Sequence, residues 1–171
     1  MPIPDFIAEL RSRIGTAPLW LAGAAAVILR DGPAGPEVLL VRRADTGEWS
    51  LVSGIVDPGE HPVDTLVREA MEEAGVEIEV EQLLWLTVGD PVTYPNGDQC
   101  QFLDHGFLAR WVSGEAAVGD DESTAVGWFP VDSLPSPGRA ELESRVRAAV
   151  EPVDGVRFQL GASPGSVESR V

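Results

Sequence analysis

The strongest constraint in this sequence is a short amphipathic helix that is bounded by glycine. Apolar side chains recur at helical spacing and predict a helix over His61–Ala74. Pro62 stands in its first turn, where a missing N–H costs nothing, and Gly75 supplies the stop. A helix with one apolar face must bury that face, and strand-like segments on both sides predict a sheet as its support. The apolar face consists of Val63, Leu66, Val67, Ala70 and Ala74.

The other side of this helix is acidic. Glu69, Glu72 and Glu73 stand at i, i+3 and i+4 and therefore share an arc of roughly 100°. Carboxylates at this spacing repel each other by roughly 0.2–0.5 kcal/mol per pair on an isolated helix. Arg68 flanks the cluster but cannot neutralise it. A divalent cation with oxygen ligands would remove the repulsion, and a solvated acidic face is the alternative that the three glutamates alone leave open.

The rest of the chain is patterned mainly as strands. Short helices are predicted at Asp5–Ile14 and Arg139–Val150, and a glycine-punctuated loop at Gly54–Gly59. The dipeptide Asn96-Gly97 predicts a hairpin turn between two of the strands. Strands interleaved with a few helices predict an α/β or α+β sandwich. The predicted strands cover residues 20–29, 38–43, 49–52, 77–88 and 99–112, with a last one starting near 126.

Composition limits the function classes. The chain has 171 residues and a net charge of −16, so it lacks the basic footprint of a nucleic-acid-binding protein or of a protein that binds anionic membranes. No apolar run is long enough to span a bilayer, and the N-terminus lacks the basic-then-apolar order of a signal peptide. The single cysteine, Cys100, permits no internal disulfide, so a cytoplasmic location is expected.

The predicted loop at Gly54–Gly59 and the acidic helix that follows it together match a known sequence signature. The segment 54–76 resembles the signature of the Nudix hydrolase family, G-x5-E-x7-R-E-U-x-E-E-x-G-U, in which U is apolar. The flanking segments also resemble the family, and the resemblance covers about residues 20–135. The nine specified positions are filled without a gap by Gly54, Glu60, Arg68, Glu69, Ala70, Glu72, Glu73, Gly75 and Val76.

The resemblance implies the Nudix fold, a mixed central sheet between helices. It divides the chain into an N-terminal helical extension (1–18), a Nudix hydrolase domain (19–152) and a C-terminal tail (153–171). The chain departs from the family pattern in two places. Val52-Ser53 precedes Gly54 where Pro-Gly is common, and Asp57 stands where Glu is common. These departures bear on loop shape and substrate fit more than on the carboxylate helix.

The resemblance also implies a metal-dependent enzyme that acts on phosphoric anhydride bonds. Glu69 and Glu73 would ligate the metal most directly, Glu72 would be a further ligand, and the Gly54 carbonyl contributes in some members. The expected cofactor is Mg²⁺, with Mn²⁺ as an alternative. Metal ions neutralise a diphosphate and lower the pKa of a bound water, whose proton a carboxylate takes.

Supporting roles follow from the same resemblance. Glu60 would hold the loop against the helix, and Arg68 would orient a glutamate through a charge-assisted hydrogen bond. Gly59 and Gly75 would shape the loop and the helix end.

The general base differs among family members. Glu69 is one candidate for it. The acidic loop Asp120-Asp121-Glu122, which precedes the last strand, supplies the other, and Glu122 is our choice within it. The alternative for this loop is a solvated turn.

Four residues are candidates for substrate binding. Arg42 and Arg43 end a strand close to the acidic helix and suit bidentate phosphate binding, or are an exposed strand end. Trp49 and Tyr94 suit stacking on a base, or are packing residues.

Two spacing rules of the family conflict over the substrate. Pro91 lies fifteen residues after Val76, as in ADP-ribose pyrophosphatases, and Tyr94 lies eighteen after it, near the tyrosine of dinucleoside polyphosphate hydrolases. We expect a small nucleotide substrate, with ADP-ribose or a nucleotide sugar favoured. A house-cleaning (oxo-)dNTP pyrophosphatase and a dinucleoside polyphosphate hydrolase are the alternatives.

Two alternative functions do not involve hydrolysis. A nucleotide-sensing module on this fold often lacks signature glutamates, which this chain retains, and an isomerase would need an active-site cysteine that Cys100 supports poorly. The N-terminal helix serves either a homodimer interface or packing on its own domain.

Overall fold

The computed structural model describes residues 4–138, 140–151 and 156–159. In this part of the chain, no helix is both long and apolar enough to cross a bilayer. The helices are α1 (Asp5–Ile14), α2 (Pro62–Ala74) and α3 (Leu142–Val150). The strands are β1 (Leu19–Gly32), β2 (Gly35–Arg43), β3 (Trp49–Ser50), β4 (Val52–Ile55), β5 (Glu77–Val88), β6 (Val92–Thr93), β7 (Gln99–Ser113), β8 (Ser123–Pro130) and β9 (Arg157–Gln159).

The strands form one mixed sheet. β1 and β7 are parallel, paired from Leu19 opposite Cys100 to Leu29 opposite Arg110. On its other side β7 is antiparallel to β5, and β9 extends the sheet parallel to β5. β1 is antiparallel to both β2 and β4, and β2 also pairs with β3 and β8. The short β6 pairs with the start of β7.

Two apolar cores cover the two faces of the sheet. Because β1 is buried on both faces, its sequence is continuously apolar and does not alternate. One core lies beneath α2 and includes Ala24, Ala26, Ile28, Leu66, Ala70 and Ala74. The other lies beneath α3 and includes Ala25, Val27, Leu142 and Val146. The predicted α/β sandwich, with a mixed sheet between helices, is confirmed.

α1 has the predicted bounds and packs on its own domain. Its Ile7 is buried in a small cluster with Leu21 of β1 and Cys100 of β7. Of the two alternatives for this helix, packing is therefore observed. A homodimer stays a prediction.

The strand boundaries differ from the predicted ones at two functional points. Gly54 lies within β4, paired with Ala24, because the backbone here completes the sheet beside β1 and the loop begins only after it. The turn at Asn96-Gly97 joins β6 to β7, so β5 and β7 are not connected directly by it.

The C-terminal region also differs from its prediction. α3 begins at Leu142, three residues later than predicted, and Arg139 lies outside the described residues. The predicted tail, 153–171, contributes β9 to the sheet. Its other residues, apart from 156, lie outside the described part of the chain.

Candidate active site

α2 is fixed at both ends, which sets the direction of its acidic side. His61 caps the N-terminus: its Nδ1 accepts the N–H of Val63 at 3.2 Å. Gly75 ends the helix with φ 67°, in the left-handed region that favours glycine. Leu66 and Ala70 are fully buried against the sheet. The acidic side consequently faces β4 and the loop that follows it.

The three glutamates are not equivalent. Glu69 and Glu73 are buried, at 7 % and 5 % exposure, whereas the Glu72 side chain is 54 % exposed. The backbone of Gly54 lies against Glu69, and a Cβ at position 54 would overlap the Glu69 carboxylate. A glycine is thus required there by a close approach.

Burial changes the proton affinity of both inner carboxylates. It raises the pKa of Glu69 to about 7, against the opposing effect of the Arg68 guanidinium. It raises the pKa of Glu73 to about 8, and the negative charges of Glu69 and Glu122 add to the effect. The Oε2 atom of Glu73 is buried without a hydrogen-bond partner among the described residues. A buried acceptor in this state calls for a cation or a proton.

Arg68 joins the outer part of the cluster. Its Nε and Nη2 donate to the two oxygens of Glu60 at 3.1 and 3.2 Å, a bidentate pair. Its Nη1 donates to Glu69 Oε1 at 2.8 Å and to Glu72 Oε2 at 3.1 Å. The guanidinium also holds the pKa of Glu60 below its usual value. One cation thereby sets the orientation of three carboxylates.

The loop between β4 and α2 closes on Glu60. Glu60 Oε2 accepts the hydroxyl of Thr65 at 2.8 Å and the N–H of Asp57 at 3.2 Å. Gly59, with φ 89°, makes the turn. Thr65 is fully buried and was not singled out from the sequence. The sequence feature that could have identified Thr65 is its hydroxyl group, which lies one helical turn before Arg68 and beside the apolar face of α2.

A second loop docks on the carboxyl end of α2. The N–H groups of Ala117 and Gly119 donate to the carbonyls of Ala74 and Glu73, both at 3.1 Å. These carbonyls belong to the last turn of the helix, where no partner exists within the helix. A Cβ at Gly119 would overlap the Glu72 carbonyl, so only glycine allows this approach. Sequence reasoning missed Gly119 because the contact is between backbones.

The docked loop brings its acidic residues to the cluster. Asp120 Oδ1 accepts the N–H of Glu122 at 3.0 Å, and the Glu122 carbonyl accepts the N–H of Ala44 at 2.7 Å. Glu122 is half-buried, and burial raises its pKa. Its charge acts on both Glu69 and Glu73. The structure thus brings Glu122 together with the helix carboxylates.

The candidate substrate residues divide between the two faces of the sheet. Arg43 is half-buried, forms a bidentate pair with Asp45 at 2.9 and 2.6 Å, and interacts electrostatically with Glu73 and Tyr94. Arg43 therefore faces the acidic cluster, and Tyr94 lies within electrostatic range of Arg43.

Arg42 and Trp49 are not brought to the carboxylates. They are register partners and share a face of the sheet. Trp49 packs on the α3 side, with its ring edge-on to Phe129 at 4.8 Å between centroids. Arg42 Nε donates to the Gly47 carbonyl at 2.9 Å. Of the two roles considered for Trp49, stacking on a base or packing within the protein, the structure shows packing.

The donor set suits a hard divalent cation. Glu69 and Glu73 offer buried oxygens that repel each other, and Oε2 of Glu73 is the buried oxygen best suited to a ligand bond, because it has no hydrogen-bond partner among the described residues. Within the described ranges, no three Asp, Glu, His or Cys side chains converge closely enough to enclose an ion. Mg²⁺ and Mn²⁺ tolerate such an open set, because Mg²⁺ keeps several waters and takes substrate phosphate oxygens.

Comparison with known proteins agrees with this arrangement. A family model described as the NUDIX domain matches residues 20–149. The NAD-capped RNA hydrolase NudC of Pseudomonas fluorescens is 37 % identical over 107 residues, 59 % of this chain and 34 % of that protein. The human 8-oxo-dGDP phosphatase NUDT18 is 37 % identical over 110 residues, 61 % of this chain and 31 % of that protein. The chain thus spans about one third of the length of these curated relatives.

Solved structures resemble the fold over most of their length. An ADP-ribose pyrophosphatase from Streptococcus suis superposes with a TM-score of 0.61 at 26 % identity, covering 81 % of this chain and 98 % of that one. A MutT NUDIX hydrolase from Burkholderia pseudomallei superposes with a TM-score of 0.56 at 31 % identity, covering 78 % and 99 %.

Proposed function

We propose that this chain, which belongs to the NUDIX domain family, is a Mg²⁺-dependent enzyme that hydrolyses a phosphoric anhydride bond in a nucleoside diphosphate linked to another moiety. ADP-ribose or a nucleotide sugar is the favoured substrate. The observation that carries the proposal is the buried pair Glu69 and Glu73, one of whose oxygens has no partner in the described structure. Two buried carboxylates are costly without a cation between them.

The proposed roles of the three glutamates as metal ligands follow from how far each side chain is exposed to solvent. Glu69 and Glu73 would hold the ion directly, and the exposed Glu72 would reach it from the solvent side. The Gly54 carbonyl would be a further donor, because the Gly54 backbone lies against Glu69. When bound, Mg²⁺ would neutralise the diphosphate and acidify a coordinated water, and Mn²⁺ would substitute for it. Nudix hydrolases generally need a divalent metal.

The remaining signature residues would hold this geometry. Arg68 ties Glu69 to Glu60, so the loop and the helix move as one unit. Gly59 and Gly75 provide the left-handed turns at the loop and at the helix end. A displacement of about 1 Å in such a frame can cost about a hundredfold in rate.

We favour Glu122 over Glu69 as the general base. Glu69 is engaged by Arg68 and by its proposed ligand role, whereas Glu122 enters from the opposite loop. Burial raises the pKa of Glu122, which strengthens its affinity for the proton of an attacking water, as burial also does for Glu69. Glu69 stays the alternative, and Arg68 would then tune its basicity.

Substrate contacts would come first from Arg43 and Tyr94. Arg43 faces the acidic cluster and would exchange Asp45 for a substrate phosphate, while Tyr94 would stack on a base or ribose. Arg42 and Trp49 would contribute only from the other face of the sheet. The Streptococcus suis relative supports an ADP-ribose-like substrate, because it matches most of this chain.

A second candidate is the removal of damaged nucleotides. It is favoured by the 8-oxo-dGDP phosphatase relative, which is more similar in sequence than the ADP-ribose pyrophosphatase. A dinucleoside polyphosphate hydrolase and a nucleotide-sensing module are the further alternatives. The sensing module is disfavoured because all signature glutamates are retained.

We also propose a partner, a cellular location and an oligomeric state for this protein. A small nucleotide is the expected partner, since the charge of −16 disfavours extended nucleic-acid or anionic membrane contacts. A single cysteine fits the cytoplasm. A homodimer stays compatible with α1 packing on its own domain.

The test is a substrate panel with Mg²⁺ or Mn²⁺. ADP-ribose, nucleotide sugars and dinucleoside polyphosphates carry no terminal phosphate, so a coupled phosphatase releases phosphate only after cleavage. Nucleoside triphosphates and their oxidised forms need a coupled pyrophosphatase instead. The variant Glu73→Gln serves as the inactive control, and Glu143→Gln on α3, which pairs with Arg147, as the matched active one.

One fast substrate that depends on the metal and on Glu73 would support the proposal. ADP-ribose cleavage gives AMP and ribose phosphate, whereas triphosphate cleavage gives pyrophosphate, so the products separate the candidates. Folded protein that turns over nothing in the panel would count against hydrolysis and favour a sensing module.

A further inference from the structure

Arg11 connects α1 to the hairpin formed by β6 and β7. Its side chain is only 11 % exposed. Nη1 donates to the Gly15 carbonyl at 3.0 Å and to the Ala17 carbonyl, so it fixes the end of its own helix. Nη2 donates to the Gln99 carbonyl at 2.8 Å, across 88 residues of sequence. One guanidinium therefore bonds both to α1 and to the first residue of β7.

The same guanidinium faces the turn of the hairpin. Its Nε lies 3.4 Å from Asp98 Oδ1, as an ion pair without hydrogen-bond geometry. Asp98 is part of the turn: its N–H donates to Asn96 Oδ1 at 3.1 Å, and its carbonyl accepts the N–H of Tyr94 at 2.9 Å. Asp98 thus joins Arg11 to Tyr94 in one step.

The hairpin depends on outside support. β6 has only two residues, Val92 and Thr93, and so short a strand pair is marginal in water by itself. At the other end of the connection, Tyr94 interacts electrostatically with Arg43, which faces Glu73. Hydrogen bonds and an ion pair therefore connect α1 to the hairpin, and the hairpin carries Tyr94 within electrostatic range of Arg43.

We propose that Arg11 is a positioning residue for substrate recognition, because it holds the β6–β7 hairpin that carries Tyr94. The inference rests on the proposed function for its kinetic consequence. α1 lies outside residues 20–149, which the family model matches. It acts on substrate binding and leaves the carboxylate helix untouched.

Tyr94 is the only tyrosine in the chain, which provides a direct probe. Protein labelled with 3-fluorotyrosine gives a single ¹⁹F resonance that reports on the hairpin. The variants are Arg11→Ala and the milder Arg11→Lys, which keeps the charge but loses the planar fork. The matched control is Arg13→Ala, which removes an exposed arginine of the same helix that pairs with Glu9.

We expect the Tyr94 resonance of folded Arg11→Ala to shift and broaden toward that of the unfolded chain. Arg11→Lys gives a smaller change, and Arg13→Ala matches the wild type. With the substrate found in the panel, Arg11→Ala raises KM by about fivefold, which is the cost of ordering a recognition element on binding, and changes kcat by less than about twofold.

An unchanged resonance in folded Arg11→Ala or Arg11→Lys would overturn the proposal, as would a loss confined to kcat. If Arg11→Ala fails to fold, Arg11→Lys decides the question by the same two readouts. A shifted resonance with unchanged KM would show that the hairpin moves without serving the substrate, which also overturns it. Wild-type protein without turnover would refute the proposed function alone, because the resonance still tests whether Arg11 holds Tyr94.

Discussion

The backbone of Gly54 and the carboxylate of Glu69 occupy adjoining space that leaves no room for a methyl group between them. The glycine belongs to β4 and the glutamate to α2, so their contact lies where the strand and the helix meet. We expect Gly54→Ala to displace Glu69 and to lower kcat by about a hundredfold or more. Steady-state kinetics at saturating Mg²⁺ would measure the effect.

The matched control is Gly89→Ala, where an added methyl group meets only ordinary contacts. Its turnover should stay near that of the wild type. Equal kcat values for the two variants would show that the close approach of Gly54 to Glu69 does not affect catalysis.

Glu73→Gln should have opposite effects on catalysis and on stability. It removes a proposed metal ligand, and kcat should fall by about a hundredfold or more, or about 2.7 kcal/mol of barrier. In metal-free protein above pH 8 it also removes a buried charge that Glu69 and Glu122 repel, so the melting temperature should rise. Turnover assays and melting curves in EDTA check both. A variant that melts lower in EDTA would contradict the assignment of repulsion at this site.

The stability of the metal-free protein should fall as pH rises through neutrality. Glu69 and Glu73 have folded pKa values of about 7 and about 8, above the ordinary carboxyl value of 4.5. The folded state binds these protons more tightly than the unfolded state does. Their stabilisation is fully present below pH 4.5 and is lost as pH rises through 7 and 8.

Melting curves between pH 5.5 and 9 in EDTA would measure this loss, and Glu73→Gln should show a shallower decline. Millimolar Mg²⁺ should raise the melting temperature most at the alkaline end, because the ion binds the folded, ionised site. A flat profile in EDTA, or identical profiles with and without Mg²⁺, would contradict the prediction.

Gly119→Ala should uncouple the acidic loop from α2. The added methyl group meets the Glu72 carbonyl, so the N–H at position 119 can no longer reach the carbonyl of Glu73. We expect kcat to fall by about tenfold or more, because Glu122 loses its placement. In an E122Q background the same change should cost much less, since both substitutions act through one group. Additive losses in the double variant would refute this coupling.

Helix α2 and the grouping of its three glutamates were largely predictable, because both depend on local spacing. A period of 3.6 residues fixes which side chains of one helix share a face, and so Glu69, Glu72 and Glu73 could be grouped from spacing alone. Their different burial could not be predicted this way. It depends on Arg68 and on the neighbouring strand, which the spacing within a helix does not contain.

The residues that were misplaced or missed follow from the alternation of side chains along a strand and from contacts between distant segments. Arg42 and Arg43 were treated as one pair, but consecutive residues of a strand point to opposite faces, and only Arg43 faces Glu73. Gly54 was assigned to a loop because glycine favours turns, yet its pairing with Ala24 places it in the sheet. Gly119 gave no signal because a backbone contact leaves no pattern in side chains.

The parallel pairing of β1 with β7 has a consequence for how the protein folds. The β1 residues from Leu19 to Leu29 each meet a β7 partner roughly eighty positions away, a separation that raises the contact order and slows folding. The surface on which α2 rests is therefore incomplete until the chain has been synthesised through Arg110. We expect a helix signal to precede the recovery of Mg²⁺ binding during refolding. Stopped-flow circular dichroism beside a Mn²⁺-binding signal would separate the two events, and simultaneous recovery would contradict this order.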